Sequence, residues 1–141
     1  MQKKLNKIKK DKNLFFKNFI KKQKKSELII SMKFGLFSGG KKIRSKILMD
    51  IGSLFKLDYR TLISLGAAVE CIHAYSLIHD DLPCMDNDTI RRGKPSTHIK
   101  FGESTAVLAG NSLLTMAFEI LSKKNLNISK KNKIELINKI S

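Results

Sequence analysis

The sequence predicts an all-α protein, and three observations carry this. Of its 141 residues, 42% are hydrophobic, enough for one domain with a buried core. Apolar residues recur at intervals of three and four along most of the chain, the spacing of a helix face. The only two prolines are Pro83 and Pro95. Neither interrupts the apolar patterns before residue 80 or after residue 103, whereas strand-and-turn proteins carry breakers at closer spacing.

Residues 1–25 are Lys-rich, with apolar positions Leu5, Ile8, Leu14, Phe15, Phe19 and Ile20; the later part fits one face of a first helix. A basic amphipathic helix can also bind acidic membranes. A second helix is expected over 26–37, opened by Ser26 as N-cap and stopped by Ser38-Gly39-Gly40. Residues 41–56 read as a third, with Ile43, Ile47, Ile51 and Leu54 roughly in line. Asp58 can cap the longest segment, which runs to about Asp81 and is apolar on most sides, so it should be central. Residues 82–103 break the pattern with Pro83, Gly93, Pro95 and Gly102 and read as a functional loop. Helices are expected again over 104–122 and roughly 129–140.

The formal charge is +16, and only four of the 28 basic residues are arginine. Biased codon supply would give this composition. So would attraction to nucleic acid, acidic lipid or a diphosphate. No nucleic-acid-binding motif is present, so no specific nucleic-acid partner is expected. Cys71 and Cys84 form neither a disulfide framework nor a CxxC site, and a reducing cytoplasm is expected. No uninterrupted apolar stretch follows the basic N-terminus, so neither a signal peptide nor a transmembrane segment is expected.

The segment from His73 to Gly93 holds the chemistry. Asp80, Asp81, Asp86 and Asp88 lie within nine positions at the end of an apolar helix. A helix C-terminus disfavours anions, so this clustering needs compensating cations. Hard oxygen donors without a Cys/His set suit Mg²⁺ or Mn²⁺ over Zn²⁺. Arg91 and Arg92 follow, and guanidinium groups grip phosphate oxygens. An exposed acidic loop balanced by local salt bridges would explain the same residues. Gly39-Gly40-Lys41-Lys42-Ile43-Arg44 puts cations at a helix start, where glycines and free N–H groups admit an anion; Lys41 and Arg44, three apart, should share a face. Such a stretch is also an ordinary loop with solvated lysines. His73, seven residues before Asp80, lies in register with it; a lone helical histidine is otherwise usually a packed one.

GGKKIR, then AAVECIHAYSLIHDDLPCMDNDTIRRGKPSTHIKFGE, then AVLAGNSLLTMAFEIL resemble the trans-isoprenyl diphosphate synthases, the polyprenyl synthetase family. The likeness is greatest to the bacterial farnesyl branch, and plant-type geranylgeranyl synthases share much of the stretch. It is strong over about residues 30–122. The fold so implied is the isoprenoid synthase helical bundle, with two Asp-rich motifs facing each other across a cavity. This chain resembles its N-terminal part, so that 1–141 reads as a truncated polyprenyl synthetase domain. The second DDxxD motif and the Lys-Thr phosphate contacts have no counterpart before Ser141. Within the matched region, Lys42 and Ser45 depart from the usual GGKR-x-R-P, and Asn111 from the usual LAGD.

The resemblance implies prenyl transfer: condensation of isopentenyl diphosphate with dimethylallyl and geranyl diphosphates to farnesyl diphosphate. It implies Mg²⁺ or Mn²⁺ on Asp80 and Asp86, with Asp81 supporting. Arg91 would hold the allylic diphosphate, and Lys41, Arg44, His73 and Arg92 the isopentenyl diphosphate. Tyr75, five residues before Asp80, would set product length, and a complete enzyme would be a homodimer. The alternatives are an inactive fragment that binds diphosphate or pairs with a full-length synthase, and a geranylgeranyl diphosphate synthase.

Overall fold

A computed structural model describes residues 2–21, 23–40 and 42–141. Among these the fold is all-α, as expected: seven helices and a single two-stranded hairpin.

Helix α1 (Gln2–Ile20) buries Ile8, Lys12, Phe16 and Ile20, a stripe at four-residue spacing. Leu14, expected among its apolar positions, is exposed instead. Helix α2 (Glu27–Leu36) starts where expected, with the Ser26 hydroxyl accepting from the Ile29 N–H at 3.3 Å. Gly39 and Gly40 follow, both at positive φ, a conformation glycine adopts without steric cost.

Helix α3 (Ile43–Leu54) turns its apolar stripe outward. Ile43, Ile47 and Ile51 are about half exposed and Leu54 is 80% exposed. The buried face is Ser45, Met49 and Gly52. Helix α3 lies close against α4 (Tyr59–Asp80) at Gly52, where a Cβ would run into the Leu62 side chain.

Helix α4 is the centre of the fold. Asp58 caps it, accepting from the Thr61 N–H at 2.9 Å. It packs against α1, α2, α3 and α6 (Glu103–Ser122). Helices α4 and α6 are each long and apolar enough to cross a bilayer by length and composition. They pack against each other around Ala67, Ala68, Cys71, Ala106, Ala109 and Leu113.

The expected loop 82–103 is more structured than its breakers suggest. Residues 81–86 make turns, β1 (Ile90–Arg91) pairs antiparallel with β2 (Lys94–Pro95), and a short helix α5 (Thr97–Phe101) follows. The connecting residues Arg92 and Gly93 both have positive φ, the pattern of a type I′ hairpin turn. Helix α7 (Lys130–Ile140), capped by Ser129, closes the chain.

Candidate diphosphate and metal site

Three stretches distant in sequence meet at one cleft. Gly39, Gly40, Lys42, Ile43 and Arg44 come from the loop opening α3, Glu70 and His73 from α4, and Arg92 from the hairpin turn. The cleft has a volume of about 510 Å³. The Arg92 guanidinium donates to the Gly39 carbonyl at 2.7 Å, and a Cβ at Gly40 would run into that guanidinium. Arg44 Nη1 lies 3.3 Å from His73 Nε2. Burial lowers the His73 pKa, and the neighbouring Arg44 charge lowers it further, so the imidazole is neutral and accepts the guanidinium N–H.

Arg44, His73 and Arg92, expected to act together from the sequence, are therefore together in space. Lys41 lies outside the described residues. Helix α3 begins only at Ile43, with Lys42 as its left-handed N-cap and no side-chain cap bond. Its first N–H groups thus have no capping oxygen from Lys42. N–H groups at a helix start beside Arg44 and Arg92 are a disposition that suits an anion, hereafter the anion cradle.

Lys42 also lines the cleft, but its ammonium is already engaged. Its ammonium pairs with Glu70 at 3.0 Å and approaches the Leu36 carbonyl at 3.4 Å. Glu70 also pairs with Lys12 at 3.3 Å and accepts from the Ser45 hydroxyl at 2.7 Å. Burial would push the Glu70 carboxyl up, but the Lys12 and Lys42 charges with Ser45 hold it down at about 2. Sequence reasoning misses both Glu70 and Lys12. Glu70 carries a signal, as the only acidic residue in α4 before Asp80; Lys12 has only its place in the Ile8–Phe16–Ile20 stripe.

Around the acidic motif, Asp80 ends α4 and Asp81 is its C-cap. Asp81 is buried and gripped by Arg91, whose Nε lies 2.8 Å from both carboxylate oxygens. Hydrogen bonding to Asp81 raises the Arg91 pKa. Arg91 also lies 3.7 Å from Asp88. Asp86 is exposed, and its N–H donates to the Asp80 carbonyl at 2.9 Å, which folds the chain back so that the two residues adjoin. Among the described residues, no group of three or more His, Cys, Asp and Glu is disposed around a common metal position. The carboxylates of Asp80 and Asp86 still suit Mg²⁺, which commonly takes one or two protein carboxylates and completes its shell with water and phosphate.

Tyr75 and His79 lie one turn apart on α4, with ring centroids 4.7 Å apart, edge to face. Tyr75 packs against the main core. His79 Nε2 lies 3.1 Å from the Val107 carbonyl on α6. Gly110 permits this approach, since a Cβ there would overlap the imidazole. Asn111, next to it, is exposed on α6.

A family model described as Polyprenyl synthetase matches residues 26–141. A farnesyl diphosphate synthase of Buchnera aphidicola (from Acyrthosiphon pisum) is 50% identical over 118 residues, covering 83% of this chain and 42% of that protein. The farnesyl diphosphate synthase of Escherichia coli is 46% identical over 115 residues, covering 81% of this chain and 38% of that protein. Among solved structures, an FPP/GFPP synthase from Zymomonas mobilis superposes with a TM-score of 0.91 at 36% identity, covering 99% of this chain and 51% of that one. The chain thus spans about two-fifths of the length of these sequence relatives.

Proposed function

Because the chain belongs to the polyprenyl synthetase family, we propose that it supplies the first diphosphate-binding wall of a prenyltransferase that makes farnesyl diphosphate. Its substrates on this reading are isopentenyl diphosphate and an allylic diphosphate, dimethylallyl or geranyl. The single observation that carries the reading is the convergence of Arg44, His73 and Arg92 on one cleft.

In this reading the isopentenyl diphosphate sits on Gly39–Gly40, Arg44, His73 and Arg92. Neutral His73 offers its ring as a hydrogen-bonding partner without adding charge, while the two guanidinium groups and the first N–H groups of α3 meet the phosphate oxygens. Lys41, by its place in the motif, is assigned to the same group. Arg91 orients the allylic diphosphate. With Asp81 as its counter-ion it is held in one geometry, which lowers the entropy cost of binding. Bound Mg²⁺ or Mn²⁺ would be held by Asp80 and Asp86 and would neutralise charge as diphosphate departs. The apolar wall of α4 beside Tyr75 excludes water from the allylic cation. The terminal carbon of the isopentenyl double bond attacks that cation, a new cation forms at the next carbon, and the released diphosphate takes a proton from the carbon beside it, which restores a double bond.

The assigned domain runs over 1–141, with its strongest family likeness at about 30–122. A complete enzyme would add the second Asp-rich wall, work in the cytoplasm and form a homodimer. Four relatives named farnesyl diphosphate synthase, at 46–50% identity over 110–118 residues, support the fifteen-carbon product; a geranylgeranyl pyrophosphate synthase of Arabidopsis thaliana reaches 46% over 100 residues. A second reading, for residues 1–141 taken alone, is a diphosphate-binding half without turnover; the absence of a second DDxxD motif from these residues supports it.

Calorimetric titration of the chain with isopentenyl diphosphate tests the cleft assignment. Arg44→Ala and Arg92→Ala should each weaken binding by roughly tenfold or more, as expected for loss of a charge-assisted phosphate contact. Binding unchanged in both variants would refute the assignment.

A further inference from the structure

The most unusual group outside the proposed substrate contacts is Lys12. It is 1% exposed, and burying an ammonium is costly unless it is paired. Its partners are Ser45, to whose hydroxyl it donates, and Glu70. The Ser45 hydroxyl in turn donates to Glu70, with the Gly66 carbonyl at 3.2 Å. Glu70, 2% exposed, reaches Lys42 with its other oxygen. One buried carboxylate therefore joins α1, the start of α3, and α4.

This cluster lies directly against the anion cradle. Lys12 and Lys9 line a smaller hollow together with Gly39, Gly40 and Lys42. The same three loop residues line the cleft that holds Arg44, His73 and Arg92. The loop is thus a partition, with the cleft on one side and Lys12 on the other. Lys42 within it has a left-handed backbone, a conformation that is costly for a residue with a Cβ. Its pair with Glu70 holds it there.

We propose that Lys12 is a positioning residue for diphosphate binding, its buried ammonium fixing Glu70 against Ser45 and Lys42 and leaving a net positive charge beneath the Gly39–Gly40 loop. The proposal rests on the diphosphate reading of the cleft. Two ammonium groups share one carboxylate, so the cluster carries one excess positive charge while Lys12 is protonated. Without that proton the cluster is neutral, and Glu70 is held from one side only.

Burial lowers the Lys12 pKa to about 8, against the opposing pull of Glu70. The charged and titratable groups facing it are Glu70 and Cys71 on α4 and Lys42 at the start of α3, with Lys9 beside it on α1. Arg44, His73 and Arg92 lie across the partition. Burial pushes the Cys71 thiol well up, out of the alkaline range considered. His73, lowered from 6.5, is neutral there as well.

The test uses the whole chain, inorganic pyrophosphate as probe, and calorimetry at about pH 7 and about pH 9.5, either side of the Lys12 transition. The readout is the affinity of Lys12→Met relative to the unsubstituted chain at each pH, a ratio in which the titration of pyrophosphate itself cancels. At about pH 7 the Met variant should bind roughly three- to tenfold more weakly, the effect of one unit charge acting across a partly shielded loop. At about pH 9.5 the two should converge, because the unsubstituted chain has lost the same charge. Lys12→Arg, which keeps its charge throughout, should match the unsubstituted chain at the lower pH and exceed it at the higher. This arm reads the proposal even if Lys12→Met fails to fold. A ratio near one at both pH values, or a deficit independent of pH together with no advantage for Lys12→Arg, overturns the proposal. Failure of the unsubstituted chain to bind pyrophosphate at either pH removes the diphosphate reading, and the proposal with it.

Discussion

Arg91 closes on both carboxylate oxygens of Asp81, with its Nε 2.8 Å from each. The middle aspartate of the motif is thereby committed to a guanidinium, while Asp80 and Asp86 adjoin through a backbone hydrogen bond. The three carboxylates should separate by function when each is changed. Asp80→Ala and Asp86→Ala should abolish the Mg²⁺-dependent part of allylic thiodiphosphate binding. Asp81→Asn should retain it and instead lower stability by about 3 kcal/mol, the cost of stranding a part-buried charge. Calorimetry with and without Mg²⁺, alongside thermal melting, separates the two effects. Unchanged Mg²⁺ dependence in both alanine variants would remove Asp80 and Asp86 as ligands.

Acid should unfold the chain partly through Glu70. Its folded pKa, about 2, lies below the ordinary 4.5. A carboxyl depressed in this way contributes stability that is fully present above about pH 4.5 and is lost as pH falls toward 2. That contribution is about 3 kcal/mol. Glu70→Gln should therefore be markedly less stable than the unsubstituted chain at neutral pH, and the gap should narrow as pH falls through that window. Urea midpoints at a series of pH values measure it. A gap constant from neutral pH to about pH 2 would show that Glu70 is not held ionised by its lysines.

Gly110 is a steric requirement of the α4–α6 contact. Gly110→Ala should cost about 1–3 kcal/mol by overpacking against His79, despite the better helix propensity of alanine. Gly110→Ala combined with His79→Ala should recover part of that loss. A double variant no more stable than the single one would place the strain elsewhere.

The product-length assignment rests on Tyr75. With residues 1–122 grafted onto the C-terminal half of a competent synthase, the chimera should stop at fifteen carbons. Tyr75→Ala in the same chimera should give longer products, because the ring lies one turn and more below Asp80 along α4. Chromatography of the dephosphorylated products decides it. Identical lengths from both chimeras would show that Tyr75 serves only in packing against its neighbours.

The outward stripe of α3 predicts the behaviour of the isolated chain. Ile43, Ile47, Ile51, Leu54 and Phe55 are all exposed, a contiguous apolar strip of the kind that drives association. Sedimentation should show self-association that Ile47→Lys with Ile51→Lys suppresses, and the chain alone should have little or no condensing activity. A soluble monomer turning over isopentenyl and dimethylallyl diphosphates at ordinary synthase rates would contradict both expectations.

Local signals in the sequence are legible where one residue decides the outcome. Ser26 and Asp58 cap the helices they are expected to cap, because a cap needs only a side-chain oxygen within reach of its own helix. The cleft residues Arg44, His73 and Arg92 are legible because each sits beside a distinctive motif. Facing is harder. The apolar line on α3 points outward while Ser45, Met49 and Gly52 face inward, and periodicity alone cannot say which side of a helix is covered. The hairpin and α5 stay hidden because Gly93 and Pro95 read as breakers when they form and flank a tight turn. Lys12 is illegible among so many solvated lysines: its burial depends on Glu70, far along the chain on α4, and on the Ser45 hydroxyl between them.

Helix α3 begins at the anion cradle and carries the uncovered apolar strip along its length. Whatever packs on Ile47 and Ile51 restrains the same helix whose first turn lines the proposed diphosphate cleft. If cover and anion each favour the same placement of α3, each should favour the other. The coupling must be reciprocal: a diphosphate in the cleft should tighten the association of a covering partner by the same factor as that partner tightens the diphosphate.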